Sequence, residues 1–382
     1  MWRLADGSDG FPPADRTNWW RPERAVDAFS RLDDILPAAI SRAAGTAAPW
    51  RRAHAEPAIR YDGAPASGAG RFDLDGYMDR NPATGLLIAR GDTILAERYQ
   101  YARTDRQRLT SFSMAKTLVA LLVGIAQAEG HIGSLDDPAE AHVAALRGSA
   151  YGATPLRHLL TMSSGVQFRE DYDGTDDAAR LSRQTIGGQS AGGAVAARQF
   201  DTRIAPPGAR WYYASAETFV LALVLRAATG SPLAAYFADR VWRKIGAEAD
   251  STWLVDRSGQ EVGYMGFNAV VRDYARLGAM LAAGGQAGGQ EVVPREWVAA
   301  MTRAQVPPHA TGRFFGYGYQ TWVFPGGRDF ALLGVRGQAM FIDPVSGLVM
   351  VHTAVRADPR DAGGADTLAL WRALRRDPPR AA

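Results

Sequence analysis

The hydrophobic pattern gives the chain β-rich segments near both ends. Leu86–Ala89 and Thr93–Tyr99 are apolar runs separated by Gly91-Asp92, a pair typical of a tight hairpin turn because glycine adopts positive φ readily. After residue 310, short β-rich runs are divided by Pro-Gly-Gly and Asp-Pro-Val-Ser-Gly turns, which indicates an antiparallel meander. A final helix over about Thr367–Arg375 is predicted to cover this sheet.

Between about residues 110 and 280 the pattern is mostly helical. Leu118–Ala126 is apolar on all sides, which predicts a buried helix that stops at Gly130. Helical patterns also occupy four other segments, which are 23–43, 154–165, Ala216–Thr229 and Val271–Leu281.

The order of strands, helices and strands predicts an α+β fold. An antiparallel sheet flanked by helices would carry an inserted helical domain between its parts. We place the sheet domain, with an N-terminal arm, at residues 1–112 and 265–382, and the mostly helical domain at 113–264. The active site is expected between them. The 382 residues are enough for two such domains.

Composition narrows the function classes. The chain has no cysteine, which excludes disulfides and thiolate chemistry. The net charge is only +3 and no basic run is interleaved with aromatic residues, so nucleic acid is not an expected partner. The longest apolar run is too short to span a membrane, and the N-terminus has no basic start followed by an apolar run. We therefore expect a cytoplasmic enzyme with a small-molecule substrate and no cofactor, and leave open whether it forms a homodimer.

A lysine at the head of the buried helix is unusual in this chain. Of the 43 lysines and arginines only Lys116 and Lys244 are lysines. Ser113 precedes Lys116 by one helical turn, so both side chains lie over the same face. A serine needs a neighbouring base to become a good nucleophile, and a buried lysine can lose its proton, whereas an arginine cannot. Ser-x-x-Lys also occurs by chance, and a serine that begins a helix is often only a cap.

Two further motifs follow in order, "WYYASAET" with Tyr213 and Ser215, and the strand motif "LLGVRGQAM", which places residues 334–338 on a strand. With Ser-x-x-Lys they resemble the serine β-lactamase and penicillin-binding superfamily. The likeness is closest to its class C branch and to the 6-aminohexanoate-dimer hydrolases and esterases within it. It extends to "SLDDP", "LRHLLTMSSGVQFREDY", "PPGARWYYAS" and "RDYARLG", and covers most of residues 85–355.

The resemblance implies a β-lactamase/transpeptidase-like fold and a role for each motif. Ser113 would be the acylated nucleophile, Lys116 its base and Tyr213 the residue that passes a proton to the leaving group. The backbone N–H groups of Ser113 and Gln338 would form the oxyanion hole. The remaining substrate-binding candidates are Tyr172, Ser215, Phe267, Asn268, Arg336 and Gly337. The implied function is a serine hydrolase that cleaves amide or ester bonds of small linear substrates through an acyl-enzyme.

The sequence departs from the family at the strand motif. Where β-lactam-processing members carry a lysine or histidine, this chain has Val335, with Arg336 beside it. The departure argues against β-lactamase or D-Ala-D-Ala peptidase activity. Either activity stays an alternative, as does a slowly acylating sensor of the same fold.

Other catalytic patterns are weaker. "GQSAG" at Gly188–Gly192 fits Gly-x-Ser-x-Gly, but the polar segment before it is not strand-like, as that motif requires. We interpret residues 187–193 as a loop near the site.

The histidines are scattered along the chain and none has the spacing typical of metal ligands, so no metal site is predicted. They are His54, His131, His142, His158, His309 and His352.

Overall fold

A computed structural model describes residues 10–47, 49–65, 68–359 and 363–379. Its strands are Ala38–Ser41 (β1), Arg51–Arg52 (β2), Tyr61–Asp62 (β3), Arg71–Phe72 (β4), Ala83–Arg90 (β5), Thr93–Tyr99 (β6), Leu109–Thr110 (β7), Ser251–Leu254 (β8), Phe267–Ala269 (β9), Gln286–Ala287 (β10), Gln290–Glu291 (β11), Gly316–Tyr317 (β12), Trp322–Val323 (β13), Phe330–Gly334 (β14), Gln338–Asp343 (β15) and Leu348–Ala354 (β16).

The helices fall mainly between β7 and β8 and after β9. The α-helices are Ala25–Ala28 (α1), Leu32–Ile35 (α2), Leu74–Arg80 (α3), Ala115–Ala128 (α4), Ala139–His142 (α5), Leu156–Leu160 (α6), Asp177–Gln184 (α7), Gly193–Ala197 (α8), Ser215–Thr229 (α9), Leu233–Phe237 (α10), Val271–Ala282 (α11), Arg295–Met301 (α12), Pro308–Thr311 (α13) and Gly363–Arg376 (α14). Short 3₁₀ turns occupy Pro22–Arg24, Phe112–Met114, Ala144–Leu146 and Val335–Gly337, and a π turn occupies Ala238–Trp242.

The main sheet has eight strands in the order β12-β13-β14-β15-β16-β5-β6-β2. All its neighbouring pairs are antiparallel except β2 with β6, which is parallel. Strands from residues 51–99 and 316–354 therefore meet in one sheet, with the helical segment between them in the sequence. The α+β class and the hairpin at Gly91, whose φ is 57°, are confirmed. The predicted domain boundaries stay a prediction.

Both faces of this sheet are covered. Along β16, Val349 and Val351 belong to one hydrophobic cluster and Leu348 and Met350 to another, as expected when successive side chains point to opposite faces. Helix α11 packs on the first face. On the second face, the Trp371 ring of α14 stacks on Phe341 with 5.6 Å between centroids.

The N-terminal prediction was partly wrong. Residues 23–43 form α1, α2 and then strand β1 instead of one helix. Pro37 disfavours a helical residue before it, and β1 pairs antiparallel with β8 in a second sheet, ordered β1-β8-β9-β7. The helix predicted to reach Gly165 ends at Leu160, and Met162 beyond it has a positive φ of 54°.

Helix α4 lies at the centre of the molecule, with every residue from Ala115 to Ala126 buried. Its Gly124 faces Trp297 of α12, whose indole nitrogen donates to the Ala120 carbonyl at 3.1 Å. A Cβ on Gly124 would lie 2.2 Å from two atoms of that indole ring. Glycine therefore allows α12 to pack directly on α4.

Among the described residues no single helix is long and apolar enough to cross a membrane. The bent pair formed by α9 and Leu233–Trp242 would be long and apolar enough, by length and composition alone.

We predict that Gly124→Ala destabilises the fold even though alanine is the better helix former. Overpacking against the indole is expected to cost about 3 kcal/mol, more than the roughly 1 kcal/mol gained in helix propensity. Gly133→Ala is the matched control, because its new Cβ would meet only one atom, at 3.8 Å. Urea titration of both variants measures the free energies of unfolding. Equal stabilities would contradict the packing assigned to Gly124.

Candidate active site

Ser113 sits in the 3₁₀ turn Phe112–Met114 that leads into α4. Phe112 has a positive φ of 42°, an uncommon conformation for a bulky residue. The turn is held by Ser111, whose N–H donates to the Phe267 carbonyl at 2.8 Å and whose carbonyl accepts from the Met114 N–H at 3.2 Å. The Ser113 hydroxyl is thereby presented at the start of a buried helix, where backbone N–H groups have no partner within the helix.

Lys116 is 1% exposed and points back at the serine. Its Nζ lies 2.9 Å from the Ser113 Oγ and donates to the Tyr264 carbonyl at 2.8 Å. Burial lowers the pKa of Lys116 to about 8, against the opposing effect of the Glu170 charge. A neutral amine is therefore accessible near physiological pH, and it lies within reach of the serine proton.

Tyr213 is the third group at the serine. Its ring stacks on Trp322, with centroids 5.4 Å apart, and its hydroxyl hydrogen-bonds Ser113. Burial and then the Glu170 charge raise the pKa of Tyr213 far above its usual value, while the bond to Ser113 and the charge of Arg313 lower it. Tyr213 is therefore a neutral phenol, able to donate a proton.

A buried carboxylate that the sequence analysis missed joins two of the predicted residues. Glu170 accepts hydrogen bonds from the Ser215 N–H at 2.7 Å, from the Ser215 Oγ at 2.8 Å and from the Tyr172 hydroxyl at 2.8 Å. Ser215 is the first residue of α9, so the carboxylate lies at the positive end of that helix. The only signal in the sequence was its place beside Tyr172, since Glu170 and Ser215 lie 45 residues apart.

The strand motif reaches the nucleophile, but not as a continuous strand. β14 ends at Gly334 and β15 begins at Gln338; the residues between them form a turn in which Arg336 and Gly337 have φ of 60° and 93°. A Cβ on Gly334 would lie 2.5 Å from the Ser111 carbonyl oxygen, so only glycine allows this approach. The prediction that residues 334–338 lie on one strand was therefore wrong.

The Arg336 side chain is occupied by backbone carbonyls. Its guanidinium donates to the carbonyls of Arg356 at 3.1 Å and Ala357 at 2.6 Å, and to Trp20 of the N-terminal arm at 3.4 Å. Arg336 therefore anchors the arm and the segment after β16 instead of replacing the missing strand lysine.

Two cavities meet at the serine. The first, of about 530 Å³, is called the aromatic cavity; its walls include Phe314, Phe315, Trp322 and Phe341. The second, of about 840 Å³, is called the arginine cavity; its walls include Arg16, Trp19, Trp20, Arg183, Arg257 and Arg336. Ser113, Tyr172 and Val335 line both cavities. A substrate whose scissile bond lies at Ser113 can therefore place one group in each cavity.

The structure brings most of the predicted residues together. Tyr213, Gly337 and Gln338 line the aromatic cavity, Ser215 and Glu170 line the arginine cavity, and Tyr172 does reach the site. Phe267 and Asn268 line neither cavity. Phe267 packs on Trp253 in the core, and the Asn268 amide donates to Thr252 and to the Gly266 carbonyl, because β9 is an interior strand of the second sheet.

The alternative serine has a structural role. The Ser190 hydroxyl donates to the Gln184 carbonyl at 2.7 Å and accepts from the Gly192 N–H at 3.0 Å. Gly187 and Gly188 line the arginine cavity, as expected of a loop near the site. In the part of the chain that the structure describes, no group of three or more histidine, aspartate or glutamate side chains is placed to hold a metal ion.

Comparison with known proteins identifies the family. The beta-lactamase family model matches residues 73–374. The chain belongs to the beta-lactamase family. It is 29% identical over 374 residues to the 6-aminohexanoate-dimer hydrolase of Paenarthrobacter ureafaciens, covering 94% of this chain and 91% of the relative. The expected family and its hydrolase class are thus confirmed.

Solved structures confirm the fold. A putative 6-aminohexanoate-dimer hydrolase from Bacillus anthracis superposes with a TM-score of 0.86 at 20% identity, over 96% of this chain and 99% of that one. EstCE1, a hydrolase with promiscuous acyltransferase activity, gives a TM-score of 0.62 at 19% identity, over 78% of this chain and 96% of its own. The β-lactamase/transpeptidase-like fold predicted from the motifs is the fold observed.

We predict that Lys116→Arg lowers kcat at least about a hundredfold, because a guanidinium stays protonated and cannot accept the serine proton. Lys244→Arg, which replaces the only other lysine, is the matched control and should leave kcat unchanged. The wild-type rate should rise as pH increases through about 8, where the lowered pKa of Lys116 releases the neutral amine.

Initial rates from pH 6 to 10, with circular dichroism as the check on folding, measure both effects. A Lys116→Arg enzyme that keeps more than about a third of the wild-type kcat would rule out the general-base role.

Proposed function

We propose that this protein is a serine hydrolase that cleaves amide or ester bonds of small linear substrates through an acyl-enzyme. The observation that carries the proposal is the buried Lys116 Nζ, 2.9 Å from the Ser113 Oγ, at the point where two cavities meet. The relative from Paenarthrobacter ureafaciens carries the name of an enzyme of this type.

In the proposed acylation step, the neutral Lys116 amine accepts the Ser113 proton while the Ser113 Oγ attacks the substrate carbonyl carbon. The negative charge that develops on the carbonyl oxygen is stabilised by the backbone N–H groups of Ser113 and Gln338. As the bond to the leaving group breaks, Tyr213 donates a proton to the leaving nitrogen or oxygen and regains one from the Lys116 ammonium. The serine ester and the free amine or alcohol result.

Deacylation uses the same groups. Lys116, now neutral again, accepts a proton from the attacking water, whose oxygen forms the new bond to the acyl carbon. Collapse of the second tetrahedral intermediate releases the carboxylic acid and returns the proton to the Ser113 Oγ. The neutral phenol of Tyr213 suits this scheme because it donates without first having to be protonated.

Preference for a linear substrate rests on the shape and charge of the site. Two cavities diverge from Ser113, which suits a chain that extends to both sides of the scissile bond. The strand position that carries a cation in β-lactam-processing members holds Val335, and neighbouring Arg336 is bonded to three backbone carbonyls. β-Lactamase and D-Ala-D-Ala peptidase activities are therefore the less favoured alternatives.

We predict that a phosphonate or activated-ester probe labels Ser113. Intact-protein mass should increase by one adduct, and Ser113→Ala should abolish the increase because it removes the attacking oxygen. Ser190→Ala is the matched control and should be labelled like the wild type. Labelling that is lost in Ser190→Ala and kept in Ser113→Ala would transfer the nucleophile to the alternative motif.

We predict measurable turnover of short p-nitrophenyl esters or linear ω-amino-acid dimers beside weak or absent turnover of nitrocefin. A panel of these substrates with D-amino-acid amides measures the preference. Nitrocefin turnover with kcat/KM of about 10⁴ M⁻¹s⁻¹ or more would reverse the assignment. A burst of one equivalent of ester product with no further release would instead identify a slowly acylating sensor.

A further inference from the structure

A buried histidine outside the predicted catalytic set contacts the turn that carries the oxyanion hole. His352 has no exposed surface and lies on β16, opposite Ala339 of β15. Its Nδ1 lies 2.7 Å from the Gly337 carbonyl oxygen. A carbonyl oxygen only accepts hydrogen bonds, so the ring carries its proton on Nδ1 and donates to Gly337.

The other ring nitrogen supports this tautomer. The His352 Nε2 is buried and has no hydrogen-bond partner among the residues that the structure describes. Burial, followed by the Arg356 charge, lowers the pKa of His352 to about 3, while the bond to Gly337 raises it. The imidazole is thus neutral at working pH, with its one N–H committed to Gly337.

The hydrogen bond from His352 to the Gly337 carbonyl also sets the direction of the Gln338 N–H group. The Gly337 carbonyl and the Gln338 N–H belong to one planar trans peptide, so they point in opposite directions. A donor that holds the carbonyl toward β16 therefore directs the N–H away from β16. Gln338 and Gly337 both line the aromatic cavity beside Ser113. Donation to the carbonyl also polarises the peptide and makes its N–H a stronger donor.

The turn needs such support because it is not held by regular strand pairing. Arg336 and Gly337 both have positive φ, and the pairing of β15 with β16 begins only at Ala339, opposite His352. The Gln338 side chain adds a second tether, because its amide donates to the Ala354 carbonyl at 2.7 Å and accepts from the Ala354 N–H at 3.1 Å. Both tethers come from β16, two residues apart.

We infer that His352 is a positioning residue for the oxyanion hole, acting through the Gly337 carbonyl to aim the Gln338 N–H at the substrate oxygen. The inference rests on the proposed function, because it assumes that Gln338 stabilises the oxyanion. His352 itself lines neither cavity. Its removal should weaken binding of the transition state and leave binding of the substrate nearly unchanged.

Two substitutions separate this role from simple packing. His352→Asn keeps an N–H donor near the position of Nδ1, whereas His352→Leu fills the space without a donor. We predict that His352→Leu lowers kcat about ten- to a hundredfold with little change in KM. This fall in kcat should not exceed the fall caused by complete loss of an oxyanion-hole donor. His352→Asn should stay within about threefold of wild type. His142→Leu, at a histidine that lines neither cavity, is the control and should leave kcat unchanged.

A second readout does not depend on turnover. A trifluoromethyl ketone forms a hemiketal whose oxyanion occupies the hole, so its Kd should rise in His352→Leu and recover in His352→Asn. Equal losses in both variants, or no loss in His352→Leu, would refute the inference. Should His352→Leu fail to fold, His352→Gln, which places its amide toward the Nε2 side, is expected to show the same loss. A wild-type enzyme that no probe acylates at Ser113 would refute the proposed function, and the inference with it.

Discussion

The arrangement of the site depends on the burial of one amine. Lys116 lies in the most buried helix of the described chain, with Nζ between the Ser113 hydroxyl and the Tyr264 carbonyl. Burying a charged ammonium costs free energy, and the protein offsets part of that cost with these hydrogen bonds and the nearby Glu170 charge. The remaining cost appears as a lowered pKa, which is the property that a general base requires. An exposed lysine at the same spacing would remain protonated.

Glu170 connects the electrostatics of the site to its geometry. Its carboxylate binds the first residue of α9 and the Tyr172 hydroxyl, so one acidic group fixes a helix end and a loop. Its charge also acts on the other titratable groups, since it raises the pKa values of Lys116 and Tyr213 alike. Burial is the larger cause at both groups, since it raises the pKa of Tyr213 and lowers the pKa of Lys116. The Glu170 charge therefore adds to the effect of burial on the phenol and opposes it on the amine.

The turn after β14 lies beside the nucleophile although its side chains depart from the family motif. Val335 and Arg336 replace the usual cation, yet Gly334 still allows the strand to approach Ser111, and Gln338 still faces the aromatic cavity. The turn is held from β16 by His352 and Ala354 and from the N-terminal arm through Arg336. The side chains of this motif thus differ from those that the family resemblance implies, whereas its backbone still lines the aromatic cavity beside Ser113.

The sequence by itself determined the elements that depend on local pattern. The apolar run behind Lys116, the Gly91 hairpin and the helix that ends at Thr229 follow from neighbours within a few residues, and so does the one-turn spacing of Ser113 and Lys116. Ordered motifs added the family and the place of Tyr213. Only the tertiary structure decided which distant groups meet: Glu170 with Ser215, His352 with Gly337, and Phe267 with the core instead of the site. These contacts join residues that are far apart along the chain, and a polar residue gives no local signal of its partner. The physical reason is that hydrophobic periodicity records which face is buried, whereas the direction of a hydrogen bond depends on how separate elements pack.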